Sequence, residues 1–445
     1  MSQTDILPIP DTSSARKIGW GIAALVVAGN MIGSGVYLAP VALASTGSSS
    51  LIGWLICGAG AMILAAVFAG LGRFQSDADG LSDFTRRGLG RFIGYQTAIA
   101  YWGVCLTGNI AVAIAGTGYL AFFFPILAEP IPAALSNLAL IAITTAAYAT
   151  GAKVAARLGA TTLVIGLLPL VLAIVAGVVA FSGATFSASW NPSGQPLAAT
   201  IPASLVVIFW SFLGLESAAA LSKLVRDPAR DVGRASVGGV GLALVVYVAA
   251  SAAVFGVIPA GELAQSTSPF ADLAARVFGA SVAGLVAACA VIKALGTIAG
   301  WTILGGETAR SAGEAGYLPR VFGHASRPGH LPLSNPLING AIMALLIVAT
   351  IQPTLAGQFG LLIGACTVLT ICLYALCCIS LFRFSHSTGW RILSVVGLVF
   401  AVGAVVAAAP GNVIPAIVLF AVASVGWIWV RKRADHRVDP ATPTL

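Results

Sequence analysis

Glu216 is the only acidic residue deep inside an apolar segment, IPASLVVIFWSFLGLESAAALS. Lys293 is a cation near the middle of another, which ends KALGTIAGWTILGGET. Ionisable groups inside membrane-length segments are rare, and by default they mark a substrate or ion pathway. A carboxylate in such a place can load and release a proton; the alternative is a structural carboxylate bonded to a helix break. Lys293 lies too far from either end of its segment to snorkel easily, which makes it a candidate proton carrier. Tyr101, Cys105 and Asn109 recur every four residues, with Trp102 beside the first. That spacing keeps them along one helix face, and a polar stripe on an apolar helix is expected to look inward. Trp210 is suited to capping a bound substrate, where a cation would gain cation–π energy.

Two interrupted helices must position these groups. The first apolar segment reads IGWGIAALVVAGNMIGSGVYLAPVALA, with Gly29, Asn30, Gly33, Ser34 and Gly35 near its middle. The sixth is interrupted at Ser211, Gly214, Glu216 and Ser217. Lipid supplies no partner for free backbone N–H and C=O groups, so unwound backbone at membrane depth survives only where it lines a cavity or is buried in protein. Breaks at matching positions of two halves point to a midplane substrate site in a secondary transporter. The N–H groups after Gly33-Ser34-Gly35 open a half-helix, whose partial positive charge suits a carboxylate. A packing notch against a neighbouring helix is the alternative for that Gly-x-Gly.

Of the 445 residues, 58% are hydrophobic and 9% are charged, against about a quarter charged in soluble domains. Apolar runs of membrane-spanning length recur from end to end. The expected fold class is an all-α integral membrane protein with twelve spans, at about 18–44, 50–72, 93–124, 131–150, 158–182, 200–222, 236–259, 281–309, 335–351, 358–382, 391–409 and 412–430. An amphipathic segment, 269–279, precedes the eighth span and is expected on the extracellular side. With both termini in the cytoplasm, 21 of the 23 Lys and Arg residues fall inside, leaving Arg276 outside and Lys293 within a span, as the positive-inside rule requires. The net charge of +8 therefore follows the membrane and is no nucleic-acid footprint. No cleavable signal peptide is visible. Spans 1–5 (18–182) and 6–10 (200–382) form an inverted five-plus-five repeat, with one broken helix opening each block. Residues 391–430 hold helices 11 and 12, a candidate dimer interface; 1–17 and 431–445 are cytoplasmic tails. The seven cysteines lie in apolar segments without a Cys-x-x-Cys pair and read as packing residues. The four histidines lie in polar loops or the tail, so neither a metal site nor a cofactor is expected.

The motifs GNMIGSGVYLAP (29–40), GYQTAIAYW (94–102), GNIA (108–111), WSFLGLESA (210–218) and AGWTILGGETA (299–309) occur in order along the chain. RDPARDV (226–232) and SPFADLAA (268–275) are lesser matches. Together they resemble the amino acid–polyamine–organocation superfamily, and most closely the arginine/agmatine antiporters of its basic amino acid/polyamine branch. The resemblance implies a LeuT-like fold with discontinuous helices 1 and 6, and a homodimer. It implies that the substrate's carboxylate and α-amino group are held around Asn30, Ile32, Gly33, Ser34, Gly35, Trp210, Ser211 and Leu213. Val104, Cys105, Asn109, Trp301 and Cys366 would line the side-chain region. Tyr101, Trp210, Glu216 and Tyr374 would serve in gating, with Glu216 sensitive to pH. Three positions depart from those antiporters: Cys366 replaces a serine, Val112 a methionine and Lys293 a glycine. The last corresponds roughly to the wall where sodium-coupled relatives hold an ion, which a lysine ammonium could replace.

The expected function is secondary active transport, not enzymatic catalysis: alternating access exchanging an arginine-like basic amino acid for its agmatine-like decarboxylated amine across the inner membrane. Proton-coupled uptake using Lys293, possible for neutral amino acids, is the rival. A non-transporting membrane sensor is the remote alternative. The expected partners are a small-molecule substrate, the lipid bilayer and a second copy of the chain.

Overall fold

The computed structural model describes residues 19–78, 80–150, 162, 165–216, 225, 228–323 and 334–435. Ser217, the loop histidines 324 and 330, and the basic residues Arg16, Lys17, Lys153, Arg157, Lys223, Arg226, Arg327 and Arg437 lie outside them. Every regular element among the described residues is helical. The principal helices are α1 (Trp20–Met31), α2 (Ser50–Phe74), α3 (Arg91–Leu120), α4 (Pro130–Thr150), α5 (Leu168–Ala180), α6 (Leu197–Trp210), α7 (Pro228–Val257), α8 (Ala280–Glu314), α9 (Ser334–Ala349), α10 (Leu355–Phe384), α11 (Thr388–Ala407) and α12 (Pro410–Asp435). Eight helices among the described residues are long and apolar enough to cross a membrane, and four shorter ones are apolar.

The two expected interruptions coincide with helix ends. α1 stops at Met31, Ile32 leaves helical geometry with ψ 70°, and Gly33 is extended before a 3₁₀ turn over Ser34–Leu38 and a short helix Ala39–Ala42. α6 stops at Trp210, and residues 211–216 form consecutive turns. Gly214 adopts φ +105° there, a left-handed conformation that only glycine enters without steric cost. The segment that would continue α6 lies outside the described residues.

Helix packing falls into two groups. α7 lies against α1, α2 and α5, while α3 packs most extensively against α8 and α10. Small residues let these helices approach closely, as in membrane interfaces generally. On α3, Gly116 faces Ala294 of α8, and Gly305 of α8 faces Cys105. A ladder of buried amides ties the second group together: the Trp102 indole N–H donates to Asn339 Oδ1 (3.0 Å), Asn339 to Asn335 Oδ1 (2.9 Å), and Asn335 to the Gly306 carbonyl (2.9 Å). At 35 residues α8 is about 50 Å long, more than a bilayer's hydrocarbon core requires. Its end carries the Glu307–Arg310–Glu314 ion pairs.

The outer faces of α11 and α12 remain apolar and exposed at Val399, Val406, Ile417, Val422 and Trp429, among others. The amphipathic helix expected at 269–279 forms over Pro269–Phe278, with Phe270 and Leu273 buried. A second amphipathic helix, Leu81–Leu89, was not anticipated; its Arg86 and Arg87 pair with Asp83, and Arg87 also with Asp77.

At the α5–α7 crossing, a Cβ on Gly177 would stand 2.4 Å from Ala253 Cβ and 2.9 Å from its Cα. Gly177→Ala is therefore expected to destabilise the detergent-solubilised protein by about 1–3 kcal/mol. Gly233→Ala, at a helical position with nothing within 4 Å, should leave the melting temperature unchanged or slightly raised.

Candidate functional site

The turn after α6 is the centre of the arrangement. Because it is neither helix nor sheet, its polar groups need other partners. The Tyr247 hydroxyl of α7 donates to the Ser211 carbonyl (2.9 Å). The Gly214 N–H donates to Glu216 Oε2 (3.0 Å). Glu216 also receives the Tyr101 hydroxyl from α3 (3.0 Å) and the Tyr374 hydroxyl from α10. One carboxylate thus joins the broken helix to α3 and α10, and the Tyr101–Glu216–Tyr374 trio implied by the resemblance is a single hydrogen-bonded unit.

Aromatic stacking builds the adjoining wall. Trp210, the last residue of α6, lies against Trp301 of α8 with ring centroids 5.7 Å apart and planes tilted by 36°. Trp301 in turn packs against α3 at Gly108, where a Cβ would come within 2.3 Å of its Cζ3. The next residue, Asn109, is buried and donates through Nδ2 to Thr302 Oγ1 (2.9 Å). Cys366 of α10 contacts the Val104 carbonyl through its thiol at 3.5 Å. Val104, Cys105 and Leu213 are buried as well.

Three side-chain atoms in this region are buried with no hydrogen-bond partner among the described residues: Trp210 Nε1, Ser211 Oγ and Asn109 Oδ1. Such atoms are costly to leave empty, so the arrangement suits a solute carrying both hydrogen-bond donors and acceptors.

At the first break, the backbones of Asn30, Ser34 and Gly35 flank Gly33, while the side chains of Asn30 and Ser34 lie outside the described set. Ile32 is buried, and Gly33 sits beside α8, its would-be Cβ 3.7 Å from Thr297 Cγ2. Lys293 lies one turn before Thr297, is 6% exposed, and packs its alkyl stem against Gly166. Its carbonyl accepts from the Thr297 hydroxyl (3.0 Å), and no described residue hydrogen-bonds or ion-pairs with its ammonium. It stands eight residues from Trp301 along α8, about 12 Å, apart from the tryptophan pair. Trp102 turns away from Tyr101 and joins the amide ladder. A cavity of about 420 Å³ lies elsewhere, between α3, α10, α11 and α12; its apolar lining, including Phe92, Val402 and Phe420, has the character of a lipid-facing crevice.

Sequence reasoning missed Tyr247, Thr302 and Thr297. Thr302 follows Trp301 directly, so its helix placed it near the site, but nothing in its type set it apart from other buried threonines.

A membrane-length helical bundle that buries unpartnered polar atoms and stacked tryptophans at an interrupted helix is built as a carrier of small polar solutes. The model of the amino acid permease family matches residues 18–430, and the chain belongs to that family, within the amino acid–polyamine–organocation superfamily. The cadaverine/lysine antiporter of Escherichia coli K12 is 34% identical over 397 residues, covering 87% of this chain and 89% of that protein. The putrescine transporter PotE of the same strain is 30% identical over 366 residues, covering 82% and 83%. PotE of Haemophilus influenzae is 29% identical over 365 residues, covering 82% and 84%.

Gly108→Ala is expected to push the Trp301 indole toward Trp210 and weaken substrate affinity roughly tenfold, an overpacking cost within the usual range; titration of the purified variant checks this. Tyr374→Phe, which removes one of the three donors to Glu216, is expected to lower the stability of the detergent-solubilised protein by about 1–3 kcal/mol, read from its melting temperature.

Proposed function

We propose that the protein is an inner-membrane exchanger of a basic amino acid for its decarboxylated amine. The observation that carries this reading is the trio of unpartnered polar atoms beside the Trp210–Trp301 pair. The tryptophan faces offer a cation an attractive surface without a charged partner, and Asn109 Oδ1 offers an acceptor. A diamine and its parent amino acid share that cationic end, so one site serves both. Relatives that are antiporters of cadaverine with lysine, or transporters of putrescine, support this substrate class; arginine with agmatine belongs to the same chemistry.

In this reading the chain crosses the membrane twelve times with both termini cytoplasmic. Residues 18–182 and 200–382 form the two inverted repeats, and 391–430 the contact of a homodimer. The substrate's carboxylate and α-amino group bind at the two breaks, around Asn30, Ile32, Gly33, Ser34, Gly35, Ser211 and Leu213. Its side chain lies near Val104, Cys105, Asn109, Trp301 and Cys366. Trp210 covers it, and Tyr101, Glu216 and Tyr374 gate one side. Packing of α7 with α1 and α2, apart from α3 with α8 and α10, supports alternating access by rocking of the first group against the second.

A second reading, proton-coupled uptake through Lys293, draws on the burial of that ammonium without an acidic partner among the described residues.

Counterflow in proteoliposomes tests both. With lysine trapped inside and labelled lysine outside, lysine, cadaverine, ornithine, putrescine, arginine and agmatine are expected to compete, and alanine and leucine are not. Uptake into empty vesicles driven by a pH gradient alone would overturn obligatory exchange in favour of the Lys293 reading.

A further inference from the structure

We infer that Thr302 is a positioning residue: it fixes the amide of Asn109 so that only the acceptor, Oδ1, is offered to the substrate, which makes the site selective for substrates whose far end donates hydrogen bonds. The inference rests on the site proposed above and deepens it.

The proton inventory carries it. The Thr302 hydroxyl has one hydrogen, and it donates that hydrogen to the Ile298 carbonyl one turn back on α8 (2.8 Å). Toward Asn109 it therefore presents only lone pairs. The group of Asn109 that faces it at 2.9 Å must be the donor, Nδ2. Met343 Sδ on α9, a weak acceptor, stands 3.6 Å from the same nitrogen, which again calls for a donor. Both neighbours disfavour the flipped amide, in which the carbonyl oxygen would face the Met343 sulfur and a threonine oxygen whose hydrogen is engaged with Ile298. Asn109 Oδ1 is left buried and without a partner among the described residues.

An acceptor so fixed discriminates by hydrogen-bond polarity rather than by net charge. The acid near the site, Glu216, is already engaged by Tyr101, Tyr374 and the Gly214 N–H. A terminal ammonium satisfies Oδ1, whereas a terminal methyl leaves it buried and empty. Buried groups left unpaired in this way are what give polar sites their selectivity.

The test compares lysine with norleucine, which replaces the terminal ammonium by a methyl group, by equilibrium binding to the purified full-length protein. The wild type should prefer lysine. In Thr302→Val, which keeps the side chain's shape but frees the amide to rotate, the preference should fall roughly tenfold, with norleucine affinity unchanged. Thr302→Ser should restore it. In Asn109→Asp, whose carboxylate has no donor end to misplace, the further change Thr302→Val should leave the preference unaltered. A merely structural threonine would weaken both ligands together, and that result would overturn the inference. So would an undiminished lysine preference in Thr302→Val, while leaving the proposed substrate class standing. A wild type that does not distinguish lysine from norleucine would overturn the substrate class itself, and the inference with it.

Discussion

A backbone group at membrane depth has no water to turn to, and leaving one unpaired costs several kcal/mol. The architecture around α6 depends on meeting that constraint. Where the helix stops, the next turns close on themselves: Ser211, Phe212 and Leu213 donate to the carbonyls of Ile208, Phe209 and Trp210. Gly214 cannot continue this pattern at φ +105°, and its N–H goes to Glu216. The Ser211 carbonyl is taken up by Tyr247 from α7. Beside this turn, Trp210 Nε1 and Ser211 Oγ remain buried without a partner among the described residues.

Glu216 has a second consequence. Its hydrogen bonds run from the α6 break to α3 and α10. Hydrogen bonds to charged groups are worth about 1.5–3 kcal/mol each, so moving the α6 break away from α3 and α10 requires this carboxylate to exchange partners. The tryptophan pair joins α6 to α8 without polar bonds, Trp210 lying against Trp301. Its tilted stacking tolerates sliding, in contrast to the Asn335–Asn339–Trp102 ladder, whose directional bonds hold α3, α8 and α9 together.

The similarity to an antiporter of cadaverine and lysine and to putrescine transporters sits well with the small number of charges at this site. A carboxylate dedicated to the substrate's second ammonium would hold the amine strongly and release it slowly. An amide acceptor and aromatic faces bind a cation through weaker terms that are more easily reversed.

Much of this was legible in the residues. Membrane-length helices follow from apolar runs, because lipid rewards them without reference to the rest of the chain. The breaks at Gly33 and Gly214 were legible for a related reason: glycine and small polar residues in an apolar run oppose helix locally, and the structure stops α1 and α6 beside them. Glu216 stood out because a lone carboxylate in such a run demands partners. Which partners it finds was decided by tertiary structure, since Tyr101 and Tyr374 lie 115 and 158 residues away. Tertiary structure alone also separated the members of the polar stripe, sending Tyr101 to Glu216 and neighbouring Trp102 to Asn339. The same holds for Thr302 and Tyr247, whose roles depend on which atom faces which across a helix contact. Sequence period specifies a helix face, whereas the direction of a hydrogen bond is set by the neighbour that packing brings up to it.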